Sequence, residues 1–388
     1  MEEEVEWGEF LIGGDDGLFA VGYSKRKLNA NTLKFGGKHP YVTRKSSNNG
    51  IQGYIDYDEQ FLNKANTISF GMDTAVMYYQ SKPYFTGDKI KVFHPKGKLG
   101  RYIALYTIAS IQKAFQLFGW GMSYSDDVVN NVKIQLPIDK NGNPHYAYMT
   151  AYIRQLEIDR LEEIKRDTTT RLAAMGHVTD VDGYELTDDD HDVLTYQPEW
   201  GKFRIGDLFE VRKGKRLPER VLVASDGSIA LINQSAKSNM VLRYSGLQGN
   251  NEIYKGNAIT FAVNTKMLTY QKADFYTIAD ILFLKSNFLA REIALYICVS
   301  IHKQLPKSGW DKIFKLSDMK NLIIELPIAS ERERERVPNF QYMARYIQGI
   351  EKQKLLALLK YATTRLWLHS GLYKSATETS NTRCRQRL

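Results

Sequence analysis

The chain has 388 residues, 43% of them hydrophobic and 25% charged, with a formal net charge of +9. That is long enough for two domains with cores of their own, and no apolar run reaches the length of a membrane helix. Cys298 and Cys384 are too few for a disulfide framework or a zinc site. The acidic start, Met1-Glu2-Glu3-Glu4-Val5-Glu6, lacks the apolar core of a signal peptide, so the expected compartment is a reducing cytoplasm.

In chain order, a mixed segment over residues 6–138 comes first, opening on Glu6-Trp7-Gly8-Glu9-Phe10-Leu11-Ile12-Gly13. Its β-branched and aromatic runs, such as Ile68-Ser69-Phe70 and Ala75-Val76-Met77-Tyr78-Tyr79, are punctuated by Gly, Asn and Asp and predict strands and hairpins. Near 100–117, Ile103, Tyr106, Ser110 and Ala114 stand at helical spacing. Leu136-Pro137-Ile138 leads into the turn signal Asp139-Lys140-Asn141-Gly142-Asn143-Pro144. A helix follows over about 146–174, with Ile153, Leu156, Leu161, Ile164 and Leu172 on its apolar stripe; the stripe is amphipathic without being a clean heptad. Residues 176–197 then carry seven acids and no Lys or Arg, which reads as a solvated linker. Asp180-Val181-Asp182-Gly183 within it lacks the remaining ligands of a calcium loop.

The pattern then repeats. Glu199-Trp200-Gly201-Lys202-Phe203-Arg204-Ile205-Gly206 answers the opening motif, Ile293-Ala294-Leu295-Tyr296 answers Ile103-Ala104-Leu105-Tyr106, and Gly309-Trp310 answers Gly119-Trp120. Leu326-Pro327-Ile328 and a helix over about 340–368 close the second copy, with Ile347, Ile350, Leu355, Leu358 and Leu366 on the matching stripe. An offset of roughly 190 residues is a duplicated domain, far beyond the period of about 20–50 residues of a solenoid. One departure is the insertion Gly14-Asp15-Asp16-Gly17-Leu18-Phe19, where the second copy has Asp207-Leu208-Phe209. The polar tail, 371–388, reads as disordered.

A basic, duplicated chain favours a polyanionic partner, because phosphate contacts supply most non-specific binding energy. Base reading needs Arg, Lys, Asn, Gln and Ser on exposed loops. The first copy offers Arg44, Lys45, Ser46, Asn48 and Asn49 after the strand-like Tyr41-Val42-Thr43; the second offers Asn233, Gln234, Ser235, Lys237 and Asn239 after Ala230-Leu231-Ile232. The two loops share position and polarity but not identity, as two readers of different sites should. The clusters Lys25-Arg26-Lys27 and Lys213-Gly214-Lys215-Arg216 suit phosphates, which position without specifying. Asn264 and Lys266, opposite Asp73 and Thr74 of the first copy, join the candidates, with Lys82 and Tyr84 as weaker ones. Trp120 and Trp310 recur and read as shared architecture, and Trp7 and Trp200 as core. Each of these groups has a plain competing reading as a solvated loop or face.

No catalytic or metal-binding constellation stands out. Asn143-Pro144-His145-Tyr146 resembles the Asn-Pro-Pro-Tyr motif of amino-methyltransferases, but its third residue is His and the other copy has Val337-Pro338-Asn339-Phe340. It reads as the turn that starts a helix. Walker, His-Glu-x-x-His and Gly-x-Ser-x-Gly motifs are missing.

The paired order of these motifs over residues 6–370 resembles the specificity subunit of type I restriction–modification systems, and Leu136–Pro144 resembles the variant in the type IIB-like branch. The resemblance implies an α+β fold of two tandem target-recognition domains in a pseudo-two-fold arrangement, separated by two long antiparallel helices. The expected boundaries are 1–138 and 198–329 for the two domains, 139–175 and 330–370 for the spacer helices, and 176–197 for the acidic linker. It further implies a non-catalytic subunit that binds a split double-stranded DNA site and serves methyltransferase and restriction subunits. S-adenosylmethionine would belong to the methyltransferase, and this chain would hold no cofactor. Tyr148, Tyr152, Ile153, Leu161, Tyr342, Tyr346, Ile347 and Leu355 are the candidate helix residues for docking those partners. A helix of about 25 residues is a rod of about 38 Å, close to the roughly 34–36 Å of one DNA turn. The alternatives are an autonomous nuclease or methyltransferase with a cryptic site, and a scaffold that binds only protein.

Overall fold

A computed structural model describes residues 5–116, 124–223, 226–306, 314–329 and 337–385. Trp120, Trp310 and the Glu331–Arg336 charge run lie outside the described residues. The chain forms two compact units, Met1–Glu162 and Glu163–Leu388, and the division falls inside the first long helix, Tyr146–Ala174.

In the first unit an antiparallel four-stranded sheet has the order Phe19–Tyr23, Ile90–Pro95, Thr67–Gly71, Met77–Gln80. Thr67–Gly71 is buried along its whole length because both faces are covered. Ile68, Phe70 and Phe93 pack against Ile103, Ile111 and Phe115 of the helix Arg101–Phe115. On the other face Val92 meets Val42 and Tyr84, beside a three-stranded sheet ordered Ile51–Ile55, Phe35–Val42, Phe85–Thr86, its last pairing parallel. Trp7–Leu11 pairs antiparallel with Lys133–Pro137, the strand that precedes the long helix.

The second unit repeats this plan. Its four-stranded sheet runs Glu210–Lys213, Ile281–Lys285, Ala258–Ala262, Leu268–Gln271, and its three-stranded sheet Val241–Ser245, Ile229–Ile232, Phe275–Thr277. Ile259 and Phe261 pack against Ile293, Ile297 and Ile301 of the helix Arg291–Gln304. At the site of the first copy's insertion, the second has the short helix Ile205–Leu208.

Each copy is fastened to its own long helix by the same ladder. In the first, Tyr106 meets Tyr152 edge-on with centroids 5.6 Å apart, and Arg101 grips Glu157 through two bonds of 2.8 and 3.1 Å. In the second, Tyr296 meets Tyr346 at 5.8 Å, and Arg291 grips Glu351 at 2.9 and 2.5 Å. Asn143-Pro144-His145-Tyr146 is a turn at a helix start: Asp139 accepts the Asn141 and Asn143 amides, and His145 Nδ1 accepts the Tyr148 amide at 3.2 Å. Asn339 Oδ1 does the same for Tyr342 at 2.9 Å.

Three expectations need correction. The acidic stretch is no free linker, for it forms the helices Thr179–Asp182 and Asp188–Thr195. Thr187 caps the second of these, and Asp188, Asp189 and Asp190 lie in its first turn, where the helix dipole favours negative charge. Leu194 packs on Gly349 of the helix Phe340–Arg385, and Asp190 pairs with Lys352 at 2.9 Å, both nearly buried. Burial opposes the Asp190 carboxylate, but Lys352 and Thr187 outweigh it and hold its pKa below the ordinary value. Second, that long helix runs on to Arg385 through the expected disordered tail, a stretch with no proline to end it. Third, Trp7 and Trp200 are more than half exposed. A two-stranded ribbon buries one face, and these first residues of their strands fall on the open one.

Candidate nucleic-acid interface

The polar loops are built on a common backbone frame. Thr43 N–H donates to Gly50 O at 2.8 Å, and Asn233 N–H to Met240 O at 2.9 Å, so Arg44 corresponds to Gln234 and Asn49 to Asn239. Both loops end in three residues of left-handed backbone, Asn48, Asn49 and Gly50 in one and Ser238, Asn239 and Met240 in the other. Asparagine tolerates that conformation better than most side chains. Asn49 Nδ2 donates to Tyr79 O at 3.1 Å, and Gln80 Nε2 donates back to Asn49 O at 3.2 Å and to Ser69 Oγ at 3.0 Å. Asn239, Gln271 and Thr260 repeat this arrangement. Nδ2 of Asn49 and of Asn239 therefore ties its loop to the neighbouring strand in the same way in both copies. Their identity in both copies was the signal for this, since a residue that discriminates should differ.

The hairpin connection beside each loop also corresponds. Gly71 N–H donates to Val76 O, and Ala262 N–H to Met267 O, so Asp73 matches Asn264. In each copy the second residue after the strand end bonds across to the hairpin connection through its side chain. In the first, Arg44 Nη1 donates to Asp73 Oδ2, and Lys89 Nζ meets the same carboxylate at 3.0 Å. The bond from Lys89, aided by Arg44, holds the Asp73 carboxyl below its ordinary pKa. In the second, Gln234 Oε1 accepts the Asn264 amide N–H at 3.1 Å.

Arg44 and Lys45 line an open cleft of about 570 Å³ in the first unit together with Lys27, Asn29, Gln52 and Asp88. The structure thus joins two basic groups that are far apart in sequence. Asn29, Gln52, Asp88 and Lys89 were not singled out in the sequence, and no local motif marks them. The strand register matches Lys27, bridged to Thr86, with Arg216, bridged to Thr277; one residue intervenes in the first copy. Lys27 pairs with Asp88 at 3.4 Å. Lys25 donates to Gln60 O at 3.1 Å, and Arg26 lies over the Phe61 ring at 4.7 Å.

Elsewhere the predicted residues disperse. Lys82 is exposed but does not line the cleft, and Tyr84 is fully buried, its hydroxyl 3.1 Å from Thr67 Oγ1. Ser46, Asn48, Lys215 and Lys237 are exposed, Asn48 donating to Ile51 O. Lys213 pairs with Asp280. Asn233 and Ser235 shape their own loop, accepting the Ser235 and Lys237 amides, and Lys266 Nζ donates to Pro306 O at 2.9 Å.

On the long helices, Tyr148 and Tyr152 stack at 6.1 Å and Tyr342 and Tyr346 lie 5.8 Å apart. Tyr152 is the open one, 46% exposed; Ile153 packs on the core of its own unit, and Ile347 is half-buried. Leu161 and Leu355 are buried, the latter with Leu172, Leu356 and Leu359, so neither is open to a partner subunit.

Two copies of one scaffold, each presenting the same loop frame with different polar side chains, define a duplicated recognition protein. The family described as "Type I restriction modification DNA specificity domain" matches the chain twice, over residues 5–166 and 197–360. The chain belongs to that family. It is 25% identical over 359 residues to the specificity subunit S.BcgI of a type II restriction enzyme from Heyndrickxia coagulans, covering 91% of this chain and 97% of that one. The fold is similar to the crystal structure of a type I restriction–modification S subunit from M. genitalium, with a TM-score of 0.51, 14% identity, and 97% and 96% of the two chains covered. These are specificity components, as the expectation of a non-catalytic chain requires. Among the described residues no helix is long and apolar enough to cross a membrane.

Proposed function

We propose that this chain reads a bipartite double-stranded DNA target, one half-site per copy, and directs the methyltransferase and restriction subunits of its system to it. The observation that carries this reading is the repeated loop frame, which keeps Asn49 and Asn239 but exchanges Arg44 for Gln234 and Asp73 for Asn264. A catalytic centre would have to be doubled or confined to one copy. A protein-only scaffold would leave the basic cleft and the divergent loops without purpose. The first long helix has 29 residues, about 43 Å of rod, which is longer than one DNA turn of roughly 34–36 Å. S-adenosylmethionine would be held by the methyltransferase and not by this chain.

The test is methylome sequencing of cells that express the chain with the methyltransferase of its system, against the methyltransferase alone. A split motif that depends on the chain is expected. No new motif, together with no salt-dependent DNA binding by the purified chain, would leave the scaffold. Methylation or cleavage by the chain alone would establish the cryptic enzyme.

A further inference from the structure

We infer that the cross-link between the two loops is the base-discriminating element of each copy: Arg44, held by Asp73, reads a guanine in one half-site, and Gln234, held by the Asn264 backbone, reads an adenine in the other. This rests on the DNA-reading function proposed above.

The backbone around the two cross-links is the same, so the difference is one of side-chain chemistry. Arg44 bridges to Asp73, and its side chain remains 39% exposed at the edge of the cleft lined by Lys27 and Lys45. A guanidinium carries five N–H donors and no acceptor. One donor is spent on Asp73, and the rest suit an edge made only of acceptors, which is guanine O6 and N7 in the major groove. Asp73 fixes the rotamer and is in turn held by Lys89, so the frame of Arg44, Asp73 and Lys89 keeps one net positive charge.

The second frame is a neutral amide. The backbone position of Lys89, whose carbonyl accepts the Met72 amide, is taken by Asp280, whose carbonyl accepts the Val263 amide. Asp280 is satisfied separately by Lys213 at 3.1 Å. Gln234 uses one lone pair of Oε1 on the Asn264 amide, leaving the second lone pair and both N–H donors. That donor–acceptor pair matches adenine N6 and N7. Asp73 is a positioning residue, whereas Arg44 and Gln234 would touch the bases.

The experiment exchanges the cross-links: R44Q/D73N in one variant and Q234R/N264D in another, each expressed with the methyltransferase and scored by methylome sequencing. R44Q/D73N should convert one G·C pair of one half-site to A·T and leave the other half-site and the spacing unchanged. Q234R/N264D should do the reverse in the other half-site, each with a preference shift of about 5- to 150-fold. The inference is overturned if both variants keep the wild-type motif, if other positions change, or if both lose methylation altogether, since each exchange places on one loop backbone a pair that the matching backbone of the other copy carries. If the unaltered chain confers no split motif, the DNA-reading function itself has failed.

Discussion

Lys91 is fully buried in the central sheet of the first unit, paired with Asp126, whose side chain is 46% exposed, and its ammonium lies 5.1 Å from the Tyr23 ring. The strand register matches Lys91, opposite Phe70, with Leu282, opposite Phe261. The helices Asp126–Asn131 and Leu316–Asn321 likewise match Asp126 with Leu316. The second copy therefore has an apolar core where the first has an ion pair. Removing one partner of a buried pair costs about 3–5 kcal/mol when a buried charge is stranded, whereas replacing both with apolar groups is neutral or stabilising. The two single substitutions should differ. Asp126→Asn strands the buried ammonium and should cost about 3 kcal/mol. Lys91→Leu leaves a carboxylate that water already reaches and should cost less than about 1 kcal/mol. For a unit of 162 residues, about 3 kcal/mol is a fall in Tm of roughly 6–12 °C. Lys91→Leu with Asp126→Leu, which installs the pair of the second copy, should match or exceed the wild type. Thermal unfolding followed by circular dichroism reads all three. Equal losses in the two single variants, or a double variant less stable than Asp126→Asn, would refute the reasoning.

Three further outcomes follow from the same contacts. Arg291 holds the Glu351 carboxyl below its ordinary value of 4.5, so the stability it lends is present above that pH and is lost as pH falls through the lowered value. In urea titrations Glu351→Gln should lie below the wild type at neutral pH and converge with it in acid; a gap that persists in strong acid would show that the carboxylate charge is not the cause. A Cβ on Gly349 would lie 3.2 Å from Leu194, so Gly349→Leu should displace Asp188–Thr195 and open it to limited proteolysis, and an unchanged digest would show that the contact is dispensable. Lys27→Ala and Lys45→Ala should each weaken DNA binding evenly across sequences and lower the salt slope by about one, measured by fluorescence anisotropy. An altered methylation motif would instead make them base readers.

The duplication, the strands and the long helices were legible in the sequence because periodicity and turn chemistry are local, and because every signal occurred twice. Thr67–Gly71, Arg101–Phe115 and Tyr146–Ala174 lie close to where the patterns of Ile68–Phe70, residues 100–117 and residues 146–174 placed them. Repetition also carried information that residue chemistry hid: Asn49 and Asn239 are identical because both serve the backbone. What only the tertiary structure decided is which residues meet. Arg44 and Asp73 are 29 positions apart, Lys27 and Lys45 reach one cleft from separate loops, and the acidic segment folds back on Gly349 and Lys352. Composition marks that segment as solvated, yet Asp190 is among its least exposed side chains, because an opposite charge from a distant helix compensates its burial. Such pairings depend on the strand order and on the packing of each helix, and neither is a property of any local stretch of sequence.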